Sequence, residues 1–93
     1  MLIGVPKEIK AQETRIGLTP YSVKELTNNG HKVQIENNAG FDAGFENSEY
    51  ESAGAKIVSK AEDIFKDSEL IIKVKEPLKN EVAMLNKNQL LFT

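Results

Sequence analysis

The chain contains no cysteine. That excludes a disulfide framework and a thiolate metal site, and it fits a reducing compartment. Positive charge is not in excess either. Twelve lysines and arginines stand against 14 aspartates and glutamates, for a net charge of −2. Nucleic-acid and polyanion binders usually show a basic face, so no nucleic-acid partner is expected. No apolar run approaches the ~20 residues of a membrane span. The opening apolar stretch is short and is broken by Pro6-Lys7-Glu8, unlike a signal peptide. No membrane partner is expected. The sequence has no internal repeat and no low-complexity tract. It also lacks a nucleotide-binding fingerprint: Gly40-x-x-x-Gly44 is not G-x-G-x-x-G and reads better as a turn needing positive φ.

What is present is an ordinary globular composition, 40% hydrophobic and 28% charged over 93 residues. That is enough for one small domain. A chain of this size buries only roughly 60–65% of its unfolded surface, which predicts marginal stability.

Strand and helix signals alternate. Leu2–Val5 reads as a strand closed by Pro6, followed by a charged loop holding Glu8, Glu13 and Arg15. Thr19 is positioned as an N-cap with Pro20 at the first helical position, and Val23 and Leu26 form the inner face. Asn28-Asn29-Gly30 ends that helix. Lys32–Glu36 alternates as a second strand, and Asn37 and Asn38 read as turn residues. Ser48-x-x-Glu51 and Ser59-x-x-Glu62 have the form of capping boxes for two further helices. The first stops at Gly54; Ile64 and Phe65 anchor the second. Ala55–Val58, Leu70–Val74 and Gln89–Phe92 complete the strands, with a brief helix at Asn80–Leu85. This βαβαβ order predicts an α/β fold with a parallel sheet and flanking helices, Rossmann-like or flavodoxin-like.

Two cations stand out. Lys75 follows the apolar run Ile71-Ile72-Lys73-Val74 and precedes Pro77; Arg15 lies in the loop after the first strand. In open α/β sheets ligands collect at the carboxyl ends of strands. Arginine offers a planar fork for a carboxylate, and lysine a compact charge able to polarise a carbonyl oxygen. Together they suit an α-keto or α-amino acid. Spacing alone leaves open the plainer reading, in which both are solvated charges paired with Glu13 and Glu76. Lys73 reads as a lysine snorkelling to the sheet edge. His31, the single histidine, falls at the amino end of its strand, away from these cations. It reads as a loop residue at a helix C-terminus. Thr93 ends the chain directly after an apolar strand, where a parallel fold turns into its next loop. The expectation is a piece of a longer protein, with its domain incomplete at the C-terminus.

Several segments in order carry a family resemblance. They are Ile3-Gly4-Val5-Pro6-Lys7-Glu8-Ile9, Glu13-x-Arg15-x-Gly17-Leu18-Thr19-Pro20, Gly30-His31-x-Val33 and Ala39-Gly40. Tyr50-x-x-Ala53-Gly54-Ala55 and Lys73-Val74-Lys75-Glu76-Pro77 follow. Over its whole length the chain resembles the N-terminal part of the bacterial L-alanine dehydrogenase family. The resemblance implies reversible, NAD-dependent oxidative deamination of L-alanine to pyruvate and ammonium. Residues 1–93 would be the N-terminal part of the substrate-binding domain, and NAD would be bound by a Rossmann domain not present in this chain. Arg15 would bind the substrate carboxylate. Lys75 would be both substrate-binding and catalytic, polarising the carbonyl. The family's catalytic histidine lies just beyond the position of Thr93, and His31 does not match it. A cytoplasmic homo-hexamer is implied, with no metal, and the 93-residue piece alone is expected to be inactive. The alternative is the NAD(H)-binding component of proton-translocating transhydrogenase, which resembles the chain but typically lacks a lysine at position 75. A further alternative is a non-enzymatic module that binds small carboxylates.

Overall fold

The computed structural model of the chain describes residues 1–10 and 12–93. Five strands, β1 (Leu2–Val5), β2 (Lys32–Glu36), β3 (Lys56–Val58), β4 (Leu70–Ile72) and β5 (Leu90–Phe92), form one sheet in the order β3-β2-β1-β4-β5. Every pairing is parallel. Among the described residues the α-helices are α1 (Pro20–Asn28), α2 (Asn47–Ser52), α3 (Ala61–Asp67) and α4 (Lys79–Val82), and a 3-10 turn covers Phe41–Ala43. The parallel α/β class therefore holds, and the order is the Rossmann one rather than the flavodoxin one.

Strand periodicity sorts the core. Ile3 and Val5 of β1 and Val33 and Ile35 of β2 pack with Val23 of α1 and Tyr50 of α2. The alternate positions, Gly4 and Gln34, face α3. A Cβ on Gly4 would lie 2.9 Å from the Ile64 Cγ2 atom, and Gln34 donates to the Ser68 hydroxyl at 3.1 Å. A second cluster, Ile64, Phe65 and Ile71, fills the α3 face.

The α1 start is as expected: the Thr19 hydroxyl accepts the Ser22 N–H at 3.2 Å. Gly30 follows the helix at φ +88°. Neither predicted capping box forms as read: the first is displaced and the second is absent. The N-cap of α2 is Glu46, and the Glu49 carboxylate accepts its N–H at 2.8 Å. Phe45 packs edge-on against Tyr50, with ring centroids 6.3 Å apart. This pair brackets the first turn as a hydrophobic staple, and its burial overrides the Ser48 signal. The N-cap of α3 is Lys60, with no side-chain cap, because buried Ile64 and Phe65 set the helix phase. Of the two glycines read as needing positive φ, only Gly44 does, at +92°. Gly40 has φ −94° and is required for space, since a Cβ there would lie 2.6 Å from the Tyr50 ring. The brief fourth helix covers Lys79–Val82 rather than Asn80–Leu85.

β5 is an edge strand paired only with β4. Its three residues are exposed, Leu90 at 56%, Leu91 at 38% and Phe92 at 67%. An apolar, unpaired edge templates association. The 93-residue chain by itself is therefore expected to self-associate as its concentration rises. Sedimentation velocity over a concentration series checks this; a single monomeric species throughout would contradict it.

Candidate functional site

The strand order reverses between β1 and β4. The chain leaves β1 toward β2 on one side and returns as β4 on the other. A crevice at such a switch point, outside the carboxyl ends of the strands, is where open α/β sheets bind ligands. Here two connections meet, residues 6–19 after β1 and 73–78 after β4.

Carboxylates knit these connections together by taking backbone N–H groups. Glu36, at the end of β2, accepts the Lys7 N–H at 2.8 Å. Burial raises its pKa, partly offset by that hydrogen bond. Glu8 accepts the Val74 N–H at 3.0 Å and the Lys75 N–H at 3.2 Å. This explains why β4 stops at Ile72 rather than Val74. Lys73 still donates its N–H to the Phe92 carbonyl at 3.0 Å, but the next two amides go to a side chain from across the crevice. Gly17 closes the junction: a Cβ there would sit 2.7 Å from the Ile72 carbonyl oxygen. Only glycine lets the segment carrying Arg15 lie this close to the end of β4.

Lys73 does not snorkel. Its side chain is 1% exposed, and its Nζ lies 3.2 Å from Glu8 Oε1 and 3.2 Å from Glu81 Oε2. Glu81, from α4, also accepts the Leu78 N–H at 2.9 Å. An ammonium between two buried carboxylates escapes the cost of unpaired burial. The sequence reading missed this triad. Its signal was a lysine inside an otherwise apolar run, with glutamates in both flanking connections.

Above the triad, Arg15 and Lys75 converge. Glu13 grips the Arg15 guanidinium in two places, Nε to Oε2 at 3.0 Å and Nη2 to Oε1 at 3.0 Å, and takes its backbone N–H at 2.8 Å. Lys75 Nζ stands 3.9 Å from the same Glu13 Oε1. Glu76 pairs instead with Lys10. The plain-pairing reading thus holds for Arg15 with Glu13 and fails for Lys75 with Glu76. Glu13 is the hub: its side chain is 4% exposed, whereas Arg15 and Lys75 are 68% and 43% exposed. The Nη1 edge of the fork makes no hydrogen bond among the described residues. Two cations around one carboxylate leave one net positive charge, which suits a monocarboxylate presented to that edge. His31 lies at the other end of the sheet, before β2, its N–H donating to Leu26 at the end of α1.

The hydrogen bonds from the Arg15 side chain and backbone lower the Glu13 pKa to about 2. A pKa depressed on folding contributes stability above the unfolded value and loses it as pH falls through the folded one. The Arg15–Glu13 contact is therefore expected to survive at pH ~3.5, where an unperturbed glutamate of pKa about 4.3 is mostly protonated. Carbon-detected NMR of the Glu13 carboxyl checks this. A midpoint near the ordinary value would mean that the fork is not held.

The β1–α1 connection does not fit a dinucleotide. It has no glycine-rich turn, and the Glu8 and Glu13 side chains put two carboxylates into this connection, where a pyrophosphate needs free backbone N–H groups. Among the described residues, no group of three or more His, Cys, Asp or Glu side chains could hold a metal ion.

Comparison with known proteins agrees with this architecture. The family profile for "Alanine dehydrogenase/PNT, N-terminal domain" matches residues 4–93. Alanine dehydrogenase of Bacillus subtilis (strain 168) is 50% identical over 93 residues, all of this chain and 24% of the relative. Alanine dehydrogenase of Methanococcus maripaludis is also 50% identical, over 25% of its length. The chain thus spans about a quarter of these relatives. A solved L-alanine dehydrogenase superposes with a TM-score of 0.95 at 52% identity, covering 98% of this chain and 25% of that one. A transhydrogenase from Sinorhizobium meliloti gives 0.91 at 30%, covering 98% and 27%. The fold, the switch-point crevice and the profile match agree: this chain belongs to the alanine dehydrogenase/PNT N-terminal domain family.

Proposed function

We propose that residues 1–93 are the N-terminal part of the substrate-binding domain of an NAD-dependent L-alanine dehydrogenase. The reaction is L-alanine, NAD and water to pyruvate, ammonium, reduced NAD and a proton, and its reverse. The observation that carries this reading is the convergence of Arg15 and Lys75 on Glu13 Oε1 at the β1/β4 switch point. Arg15 takes the substrate carboxylate on the edge of its fork that Glu13 does not occupy. Glu13 fixes the plane of that fork without neutralising both cations. Lys75 reaches the neighbouring oxygen and stabilises charge there as the carbonyl or carbinolamine forms. NAD, the hydride acceptor, is held by residues outside this chain. The whole enzyme is cytoplasmic and homo-hexameric on this reading.

The transhydrogenase similarity supports a second reading, in which the chain opens a dinucleotide-binding component with no amino-acid substrate. Lys75 favours the first, because a component that deaminates nothing has no use for a second cation beside Arg15.

Assay of the full-length protein separates them. Alanine-dependent reduction of NAD, reversed by pyruvate with ammonium, is expected. Hydride exchange between two nicotinamide nucleotides with no response to alanine would overturn the dehydrogenase reading. Residues 1–93 alone are expected neither to bind NAD in calorimetric titration nor to oxidise alanine.

A further inference from the structure

The buried triad contains one more carboxylate than charge pairing needs. Lys73 is already matched by Glu81, at 3.2 Å and within α4. Glu8 adds a second carboxylate with only 3% of its side chain exposed, in a place where burying charge is costly. Its other contacts show what that carboxylate holds. Oε2 accepts the Val74 N–H, while Oε1 accepts the Lys75 N–H and the Lys73 Nζ. No other described hydrogen bond takes those two amides. A side chain from the β1 connection thus closes the turn from which Lys75 projects.

We infer that Glu8 is the positioning residue for Lys75: its carboxylate fixes the Lys73–Lys75 turn and so sets the lysine beside Arg15. This inference rests on the catalytic reading of Lys75. Lys75 is 43% exposed and has no hydrogen bond to its Nζ within normal distance, so packing does not aim it. Its backbone does. A nitrogen that must meet a reacting oxygen loses much of its effect if displaced by about an ångström.

The test uses the full-length protein with Glu8→Gln, Glu8→Ala and, as a control, Glu81→Gln. The control makes the same charge change in the same triad but leaves the carboxylate on Val74 and Lys75 in place. Hydrogen-exchange mass spectrometry with overlapping peptides that separate Val74 and Lys75 from Leu78, whose N–H Glu81 holds, reads the turn directly. Loss of a charge-assisted hydrogen bond predicts roughly ten- to a hundredfold faster exchange there in the Glu8 variants. In Glu81→Gln, exchange at Val74 and Lys75 stays near wild type. Steady-state kinetics with alanine are expected to show kcat falling in the order wild type, Glu8→Gln, Glu8→Ala. KM changes little, because Arg15 still holds the carboxylate. If Glu8→Ala does not fold, the near-isosteric Glu8→Gln carries the test. Unchanged exchange in Glu8→Gln, or equal effects from Glu81→Gln, would overturn the proposal. So would a loosened turn with wild-type kcat. The exchange result stands without turnover, so a protein that failed to oxidise alanine would refute the dehydrogenase reading and leave Glu8's hold on the turn separately decided.

Discussion

Replacing Lys75 with alanine in the full-length enzyme is expected to lower kcat on the order of 10²–10³-fold. The expectation follows from where Lys75 stands. Its Nζ is 3.9 Å from Glu13 Oε1, and Glu13 is bound in two places by Arg15. On the proposed reading, a substrate carboxylate takes the outer edge of the Arg15 fork with its reacting carbon toward Lys75, and the charge that builds on the substrate oxygen strengthens the interaction with Lys75 in the transition state. Such an interaction appears in kcat rather than in binding. Arg15→Lys should behave differently. It keeps the charge and loses the fork, so it should weaken substrate binding roughly ten- to a hundredfold with a smaller effect on turnover. Steady-state kinetics at saturating alanine and NAD distinguish the two. A Lys75→Ala enzyme with wild-type kcat and a raised KM would make Lys75 a binding residue only.

The second large effect concerns stability. Lys73→Met is expected to destabilise the domain by about 3–5 kcal/mol, because it strands Glu8 and Glu81 as buried carboxylates with no cation. A small domain has only about 5–15 kcal/mol to lose, so this change alone brings the chain close to unfolding. Replacing all three together, with Glu8→Gln, Lys73→Met and Glu81→Gln, removes the stranded charge and should recover most of the loss. Urea denaturation followed by circular dichroism measures both. Equal destabilisation in the single and triple variants would mean that packing around Lys73, and not its charge, holds this corner of the fold.

These two lysines also show how far the sequence could be read. Lys75 and Arg15 were legible because each follows an apolar strand, and strand ends in a parallel sheet share one edge. β1 and β4 are also neighbours in the sheet, which brings the two cations together; a shared edge alone does not fix that adjacency. Lys73 reads in the sequence as a snorkelling lysine, and its buried environment is not legible there. Its partners come from the connection after β1 and from α4, far apart in sequence, and only the folded sheet brings them within 3.2 Å. The end of β4 was misread for the same reason. Local propensity carries Ile71-Ile72-Lys73-Val74 forward as one strand, whereas the Glu8 carboxylate takes the amides that would extend the ladder. At α2 two local signals competed. Ser48-x-x-Glu51 has the form of a cap, but the Phe45–Tyr50 staple, with Tyr50 fully buried, brackets a start at Glu46. Glu13 was legible only as a partner for Arg15. That it also draws Lys75, while Glu76 turns to Lys10, depends on the path of the 73–78 connection.

If Arg15 and Lys75 form one carboxylate site at the β1/β4 switch point, a crystal structure of the full-length protein with pyruvate will show it. Both pyruvate carboxylate oxygens are expected on the outer edge of the Arg15 fork at about 2.7–2.9 Å. Lys75 Nζ is expected within about 3.2 Å of the ketone oxygen, with Glu13 still seated on the inner edge of the fork. Pyruvate bound elsewhere, or bound here with Arg15 turned to solvent, would contradict it.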